Sequence, residues 1–174
     1  FTVYSDGRGI DRAWPFDVIP RVIDADEWRR IERGLEQRLV ALNRFIDDVY
    51  HEQRIVRDGV FPAELLTGSA GYRPECRGVS PRFGVWAHIA GSDLVRDADG
   101  TMYVLEDNLR VPSGVSYVLE NRAVMKRAFA DVFQRQSILP VDGYTDELDK
   151  LLCSLAPDGV DEPTVGVLTP GVYN

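Results

Sequence analysis

An Asp99-Gly100 pair between two short runs rich in β-branched and apolar residues, Asp93 to Arg96 and Thr101 to Leu105, constrains this chain more than any other feature. Such a dipeptide favours a two-residue type I′ turn, because both central residues of that turn take positive φ, so the runs read as a β-hairpin. With a two-residue loop, Ala98 pairs with Thr101, and counting back along both strands sets Asp93 directly opposite Glu106. Side chains alternate between the faces of a sheet, so Asn108, two residues beyond Glu106, shares its face.

Two carboxylates that face each other across a ladder repel unless a positive charge lies between them, which points to a cation. Asp93, Glu106 and Asn108 offer only hard oxygens, suited to Mg²⁺, Mn²⁺ or Ca²⁺. Two carboxylates and an amide leave positions open for water and substrate phosphates, the usual Mg²⁺ arrangement. The plain alternative is a solvated, polar hairpin end. A calcium-binding EF-hand loop does not fit: with Gly100 and Glu106 in its glycine and last-ligand positions, Val95 falls on the first ligand, and the flanks are strand-like.

After Asn108 the chain turns through Arg110, Pro112, Ser113 and Gly114, and Ser113 or Ser116 can cap a helix running to about Gln136. Val118, Leu119, Met125, Phe129 and Phe133 would face inward. A helix entry presents free N–H groups and the positive dipole end, so Ser113 and Gly114 are candidates for holding phosphate or carboxylate oxygens. Arg110 and Arg122 can add bidentate contacts to the same anions, with surface ion pairs as the alternative.

Asp93, Glu106 thirteen residues on, Asn108, and then Pro112 and Gly114 resemble the metal-binding signature of the ATP-grasp ligases. There an Asp on one strand and a Glu-x-Asn on the next hold the Mg²⁺ ions that bridge the ATP phosphates. The whole run 91–122, with the opening FTVYSDGRGIDRAWPFDVIPR and the closing VLTPGVYN, is similar to the circularly permuted ATP-grasp type 2 family, related in pattern to glutathionylspermidine synthetases.

The resemblance implies an ATP-dependent carboxylate–amine ligase, in which ATP phosphorylates a carboxylate and an amine attacks the acyl phosphate. It implies ATP and Mg²⁺ as cofactors, with Mn²⁺ as the alternative ion, and small-molecule or peptide carboxylates and amines as substrates. Asp93, Glu106 and Asn108 would be the metal ligands, and Arg110, Ser113 and Gly114 would meet the nucleotide. Arg110, Arg122 and His88 are the catalytic candidates. A non-catalytic metal- or nucleotide-binding module on the same scaffold is the other reading. One departure stands out: many ATP-grasp ligases carry an arginine two residues before the metal-binding Asp, and that position is Gly91 here. Arg96, Arg110 and Arg122 are the candidates for its role.

Composition bounds the remaining possibilities. At 174 residues, 44% hydrophobic and 28% charged, the chain reads as a soluble globular domain. A net charge of −8, with Lys126 and Lys150 the only lysines, argues against nucleic-acid or anionic-membrane partners. No apolar stretch reaches the ~20 residues of a membrane helix, and Phe1 to Gly9 lack the form of a signal peptide. Cys76 and Cys153 read as reduced thiols, consistent with a cytoplasmic protein. With no initiator methionine and an end just after a β-like run, the chain reads as part of a longer protein, inactive alone, its adenine pocket elsewhere.

The rest follows in order. Phe1 to Tyr4 reads as a strand and Ser5 to Gly9 as a loop, with Pro15 and Pro20 keeping the next segment extended. Asp24 or Asp26 caps a helix of about six turns, striped by Trp28, Ile31, Leu35, Leu39, Leu42, Ile46 and Val49. Asp47, Asp48, Tyr50 and His51 at its end read as rim residues, or as a site. Pro62 to Leu66 is a short helix. Tyr72 to Arg82 either covers the nucleotide or simply connects. Gly84 to Ala90 reads as a strand leading into the hairpin, with His88 on it as an acid–base candidate or a structural histidine. Thr145 caps a helix to about Leu155, and Thr164 to Leu168 reads as a buried-type strand. The fold class expected is α/β in the α+β sense: an ATP-grasp-like, circularly permuted domain with a mixed or antiparallel sheet and packed helices. Residues 1–156 would form the metal- and phosphate-binding part, and 157–174 a linker and the first strand of a following α/β unit.

Overall fold

A computed structural model describes residues 2–5, 8–11, 13, 15–17 and 19–168, with side chains from residue 13 onward. They divide into two compact units, one of residues 24–137 and one of the segments on either side of it.

The flanking segments begin with an antiparallel pair, β1 (Thr2–Ser5) and β2 (Arg8–Asp11), in which Ser5 lies opposite Arg8 and Thr2 opposite Asp11. The second strand is not legible locally, because Gly9 weakens its strand propensity and only the ladder to β1 satisfies its backbone.

The central unit is organised on α1 (Ala25–Tyr50), which is 26 residues long. Asp24 caps it, its carboxylate accepting from the Glu27 N–H at 2.8 Å. Ile31, Leu35, Leu39, Leu42 and Ile46 are half-buried along the expected stripe, and Val49 is buried. Trp28, at the start of that stripe, stays exposed. Val49 and Leu66 are the only buried hydrophobic side chains among the described residues, so the core sits at the C-terminal end of α1.

That end is secured by side chains rather than left as a rim. The Asp48 carboxylate accepts from the N–H groups of Arg54 (3.0 Å) and Ile55 (2.9 Å), capping α2 (Arg54–Arg57). The Ile55 N–H, and after it that of Arg54, hold this carboxyl below its usual range against the opposing effect of burial. Then follows α3 (Ala63–Thr67), with Pro62 at its N-cap and Phe61 edge-on to Phe45 of α1 at 5.3 Å. Residues 72–82 are a connection pinned to α1. Tyr50 accepts the Arg73 N–H on its hydroxyl (3.1 Å) and the Gly78 N–H on its carbonyl (2.9 Å). Its ring stacks on Tyr72 and Trp86 at 5.5 and 5.0 Å.

The expected strand over Gly84 to Ala90 does not form. Arg82–Gly84 is a 3₁₀ turn, and the following residues are irregular. A side chain replaces the neighbouring strand: Asn43 Oδ1 accepts from the N–H groups of Trp86 (2.8 Å) and Ala87 (2.9 Å), and Asn43 Nδ2 donates to the Ala87 carbonyl at 3.5 Å. Trp86 Nε1 donates to Asp47 at 3.0 Å. The backbone demand that a ladder would meet is met by α1.

The hairpin follows as β3 (Gly91–Arg96) and β4 (Met102–Asn108). Its turn is not type I′. Asp97 and Thr101 close it through Asp97 N–H to the Thr101 carbonyl (2.9 Å), Gly100 N–H donates to the Asp97 carbonyl (2.9 Å), and Gly100, not Asp99, has positive φ (+86°). The loop is therefore three residues, a type I turn ended by a left-handed glycine. The register is Arg96 with Met102, Val95 with Tyr103 and Leu94 with Val104, then a bulge, and then Asp93 with Glu106, Ser92 with Asp107 and Gly91 with Asn108. Leu105 is the extra residue of that bulge. Lengthening the loop by one moves the pairing one way and the bulge moves it back, so Asp93 faces Glu106 as expected, for a different reason.

Next, α4 (Val115–Ala128) is capped by Gly114 in the left-handed region (φ 97°), with no side-chain cap from Ser113 or Ser116. It does not run on to Gln136. The chain breaks at Phe129 (φ −125°, ψ 44°) and restarts as α5 (Ala130–Arg135). Leu119, Met125, Phe129 and Phe133 are half-buried, but Val118 is exposed.

In the flanking unit, α6 (Tyr144–Ser154) starts after Gly143 without a side-chain cap, so Thr145 lies inside it. Residues 164–168 make no ladder among the described residues and are exposed; 169–174 lie outside them. No described helix is long and apolar enough to cross a membrane.

Candidate metal and phosphate site

Alternation along the hairpin sorts its side chains. Ser92 and Leu94 on β3, and Met102, Val104 and Asp107 on β4, are half-buried on the face towards α1. Asp93, Glu106 and Asn108 are exposed on the other face. Without the bulge, Glu106 would follow Val104 inward. The extra residue at Leu105 resets the alternation and turns Glu106 and Asn108 out and Asp107 in.

On the outward face, Asp93 stands across the ladder from Glu106, and Asn108 Nδ2 donates to Glu106 Oε1 at 3.0 Å. Among the described residues neither carboxylate has an ion-pair partner. The donor set consists of hard oxygens, which fits Mg²⁺ or Mn²⁺. No group of three or more His, Cys, Asp or Glu side chains poised for a metal occurs among the described residues. Asp93, Glu106 and Asn108 offer two carboxylates and one amide carbonyl, fewer acids than such a group has.

The turn after β4 folds back on the same end of the hairpin. A β-carbon at Gly91 would lie 2.9 Å from Pro112 Cβ, and Gly91 is the ladder partner of Asn108. Pro112, and with it the entry to α4 at Gly114, is thereby held beside the donor end. Arg110 and Ser113 are exposed on this turn, and Arg110 has no ion-pair partner among the described residues. Arg122 lies half-buried on α4, its guanidinium 5.9 Å from the Phe133 ring centroid. His88 is half-buried in the irregular run before β3, not on a strand. The structure therefore brings together Asp93, Glu106 and Asn108, with the 112–114 turn beside them. Among the described residues no hydrogen bond or ion pair joins His88 to that group.

Three residues behind the donors escaped the sequence reading. Asp107 accepts from Ser92 Oγ (2.7 Å) and from Arg38 Nε (2.7 Å), with Arg38 Nη2 also at 2.7 Å. Burial raises the Asp107 carboxyl, but the Ser92 hydroxyl and the Arg38 guanidinium outweigh it and hold the group below its usual range. The period of two already directs Asp107 inward once Glu106 faces out; nothing local singles out Arg38 among so many arginines.

Comparison with known proteins finds a matching family and several relatives. The sequence matches the circularly permuted ATP-grasp type 2 family over residues 20–174. It is 52% identical over its whole length to "Uncharacterized protein sll0335" of Synechocystis, covering 36% of that protein. It is 49% identical over 95% of its length to "Uncharacterized protein Rv2411c" of Mycobacterium tuberculosis, covering 30% of it. Over 96% of its length it is 39% identical to "Putative glutamate–cysteine ligase 2-2" of Frankia casuarinae, covering 19% of that chain. The chain thus spans about a third or less of the length of these relatives. On the strength of the family match, this chain belongs to the circularly permuted ATP-grasp type 2 family.

Proposed function

We propose that the chain carries the Mg²⁺- and phosphate-binding part of an ATP-dependent carboxylate–amine ligase. The observation that carries this reading is the facing pair Asp93–Glu106, with Asn108 beside it, on the exposed face of a hairpin in an ATP-grasp family member. In the proposed reaction a substrate carboxylate attacks the γ-phosphorus of ATP and ADP leaves. An amine then attacks the acyl phosphate, and phosphate leaves as the amide forms. A bound Mg²⁺ supplies charge neutralisation at the phosphate oxygens. Asp93, Glu106 and Asn108 would hold it. Arg110, exposed on the adjoining turn, would meet the nucleotide anion, and the Ser113 and Gly114 N–H groups would add neutral donors. Arg122 and His88 are proposed as groups acting on the substrates. The name of the Frankia relative favours amino-acid or peptide carboxylates and amines.

A second reading, a nucleotide-binding module without ligation, is favoured by one observation. The Gly91 position, where many ATP-grasp ligases carry an arginine, is closed to a side chain by Pro112. Turnover of ATP by the intact protein in the presence of amino acids and peptides decides between the two.

The direct test of the site is calorimetric titration of ATP into the intact protein with and without Mg²⁺, in wild type and Glu106→Gln. Mg²⁺-dependent binding weakened about tenfold, or about 1.4 kcal/mol, by the substitution is the expected result. Equal binding by both proteins would return the hairpin to a solvated sheet end.

A further inference from the structure

We propose that Arg38 and Asp107 are a positioning pair that sets the metal donors from behind the sheet, an inference that rests on the reading of Asp93, Glu106 and Asn108 as ligands. One inward residue adjoins two of the donors in the chain and bonds to the neighbour of the third. Asp107 lies between Glu106 and Asn108 on β4, and its acceptor bond from Ser92 fixes the residue next to Asp93 on β3. Arg38 then ties this carboxylate to α1 across 69 residues of sequence.

An apolar side chain would be the simpler occupant of that position. Leu94, Met102 and Val104 lie on the same face and line a cleft with Ile31 and Leu35 of α1. Replacing an ion pair at such a place by apolar residues is often neutral or stabilising, so stability does not explain an acid whose side chain is only 9% exposed. Directional bonds do what apolar packing cannot. Packed methyl groups tolerate sliding, whereas three contacts of 2.7 Å on one carboxylate fix its strand lengthwise and in rotation.

A second clamp sits at the turn end, where Arg96 of β3 pairs with Glu27 of α1. The two clamps are spaced alike on both elements. Glu27 to Arg38 spans about 16 Å of helix at 1.5 Å per residue, and Met102, the ladder partner of Arg96, to Asp107 spans about 16 Å of strand. The hairpin is therefore held at both ends against a single rigid helix, with the donors directly over one of the clamps.

The test uses the intact protein and reads two quantities: the Mg²⁺ concentration that half-saturates ATP binding, and the thermal midpoint. The variants are Arg38→Met, Asp107→Asn and their double, with Glu106→Gln as the ligand control. Arg38→Met and Asp107→Asn are each expected to raise the Mg²⁺ requirement about fivefold or more, within the reach of outer residues that orient metal ligands. Binding of ATP without Mg²⁺ should change less than twofold. The double variant should be no worse than the poorer single, because the pair acts as one unit. A lowered thermal midpoint with an unchanged Mg²⁺ requirement would show a merely structural pair and overturn the proposal. If neither single variant folds, Ser92→Ala is read in the same way, a raised Mg²⁺ requirement supporting the proposal and an unchanged one overturning it. A raised Mg²⁺ requirement in Glu106→Gln with an unchanged one in Asp107→Asn overturns the positioning role alone. No effect in Glu106→Gln removes the ligand reading, and the positioning role with it.

Discussion

Gly91 and Pro112 stand so close that a β-carbon on the glycine would lie 2.9 Å from the proline Cβ. Gly91→Ala is therefore expected to cost about 1–3 kcal/mol, the range for overfilling a packed position. Gly91→Arg should cost at least as much, because it displaces the turn leading to Gly114 rather than adding a usable guanidinium. Urea midpoints of both variants check this; a Gly91→Ala protein as stable as wild type would show that the turn gives way freely.

Asn43 does the work of a neighbouring strand for Trp86 and Ala87. Asn43→Ala strips two N–H groups of their acceptor and is expected to destabilise by about 1–3 kcal/mol. Asn43→Asp keeps the oxygen that both N–H groups use and should cost less. Near-ultraviolet circular dichroism from Trp86, whose ring stacks on Tyr50, reports whether the segment detaches before global unfolding.

The carboxyl of Asp107 titrates below its usual range in the folded protein. Its stabilising contribution is thus fully present above the unfolded carboxyl pKa of about 4 and is lost as pH falls from there through the lower folded value. Asp107→Asn should be less stable than wild type at pH 7, and the gap between their urea midpoints should narrow below about pH 4. A gap that stays constant with pH would show that the charge of Asp107 contributes nothing.

The cap of α1 offers an independent check on the helix that carries both clamps. Asp24→Ala removes the acceptor of the Glu27 N–H and should lower stability by about 1 kcal/mol, whereas Asp24→Asn should be nearly neutral. Thermal or urea unfolding of the two variants measures the difference.

What could be read from the sequence was whatever local pattern determines. The stripe on α1 and its Asp24 cap follow from a period of 3.6 and from capping chemistry, whereas Asp93 faces Glu106 because the longer loop and the bulge at Leu105 cancel. The misreadings arose where a distant group overrides local preference. Val85 to Ala90 have strand-like composition, yet Asn43, over forty residues earlier, takes their hydrogen bonds. Asp99-Gly100 suits a type I′ turn, yet a three-residue loop forms, because the bulge at Leu105 absorbs the extra residue. α4 stops at Phe129 although no proline or glycine marks the break. For the candidate site, the outward donors were visible and the support behind them was not. Asp107 could be assigned a face, but its partner on α1 is a matter of packing.

The bulge also bears on how this stretch tolerates change over evolutionary time. It divides the ladder into two lengths whose face alternation is set separately: Leu94 to Arg96 with Met102 to Val104 on one side, and Gly91 to Asp93 with Glu106 to Asn108 on the other. A residue gained or lost at the turn can be taken up at Leu105 before it reaches Glu106. The third loop residue and the bulge thus offset each other, and the outward face that carries Asp93, Glu106 and Asn108 is insulated from the length of the tip by a single residue.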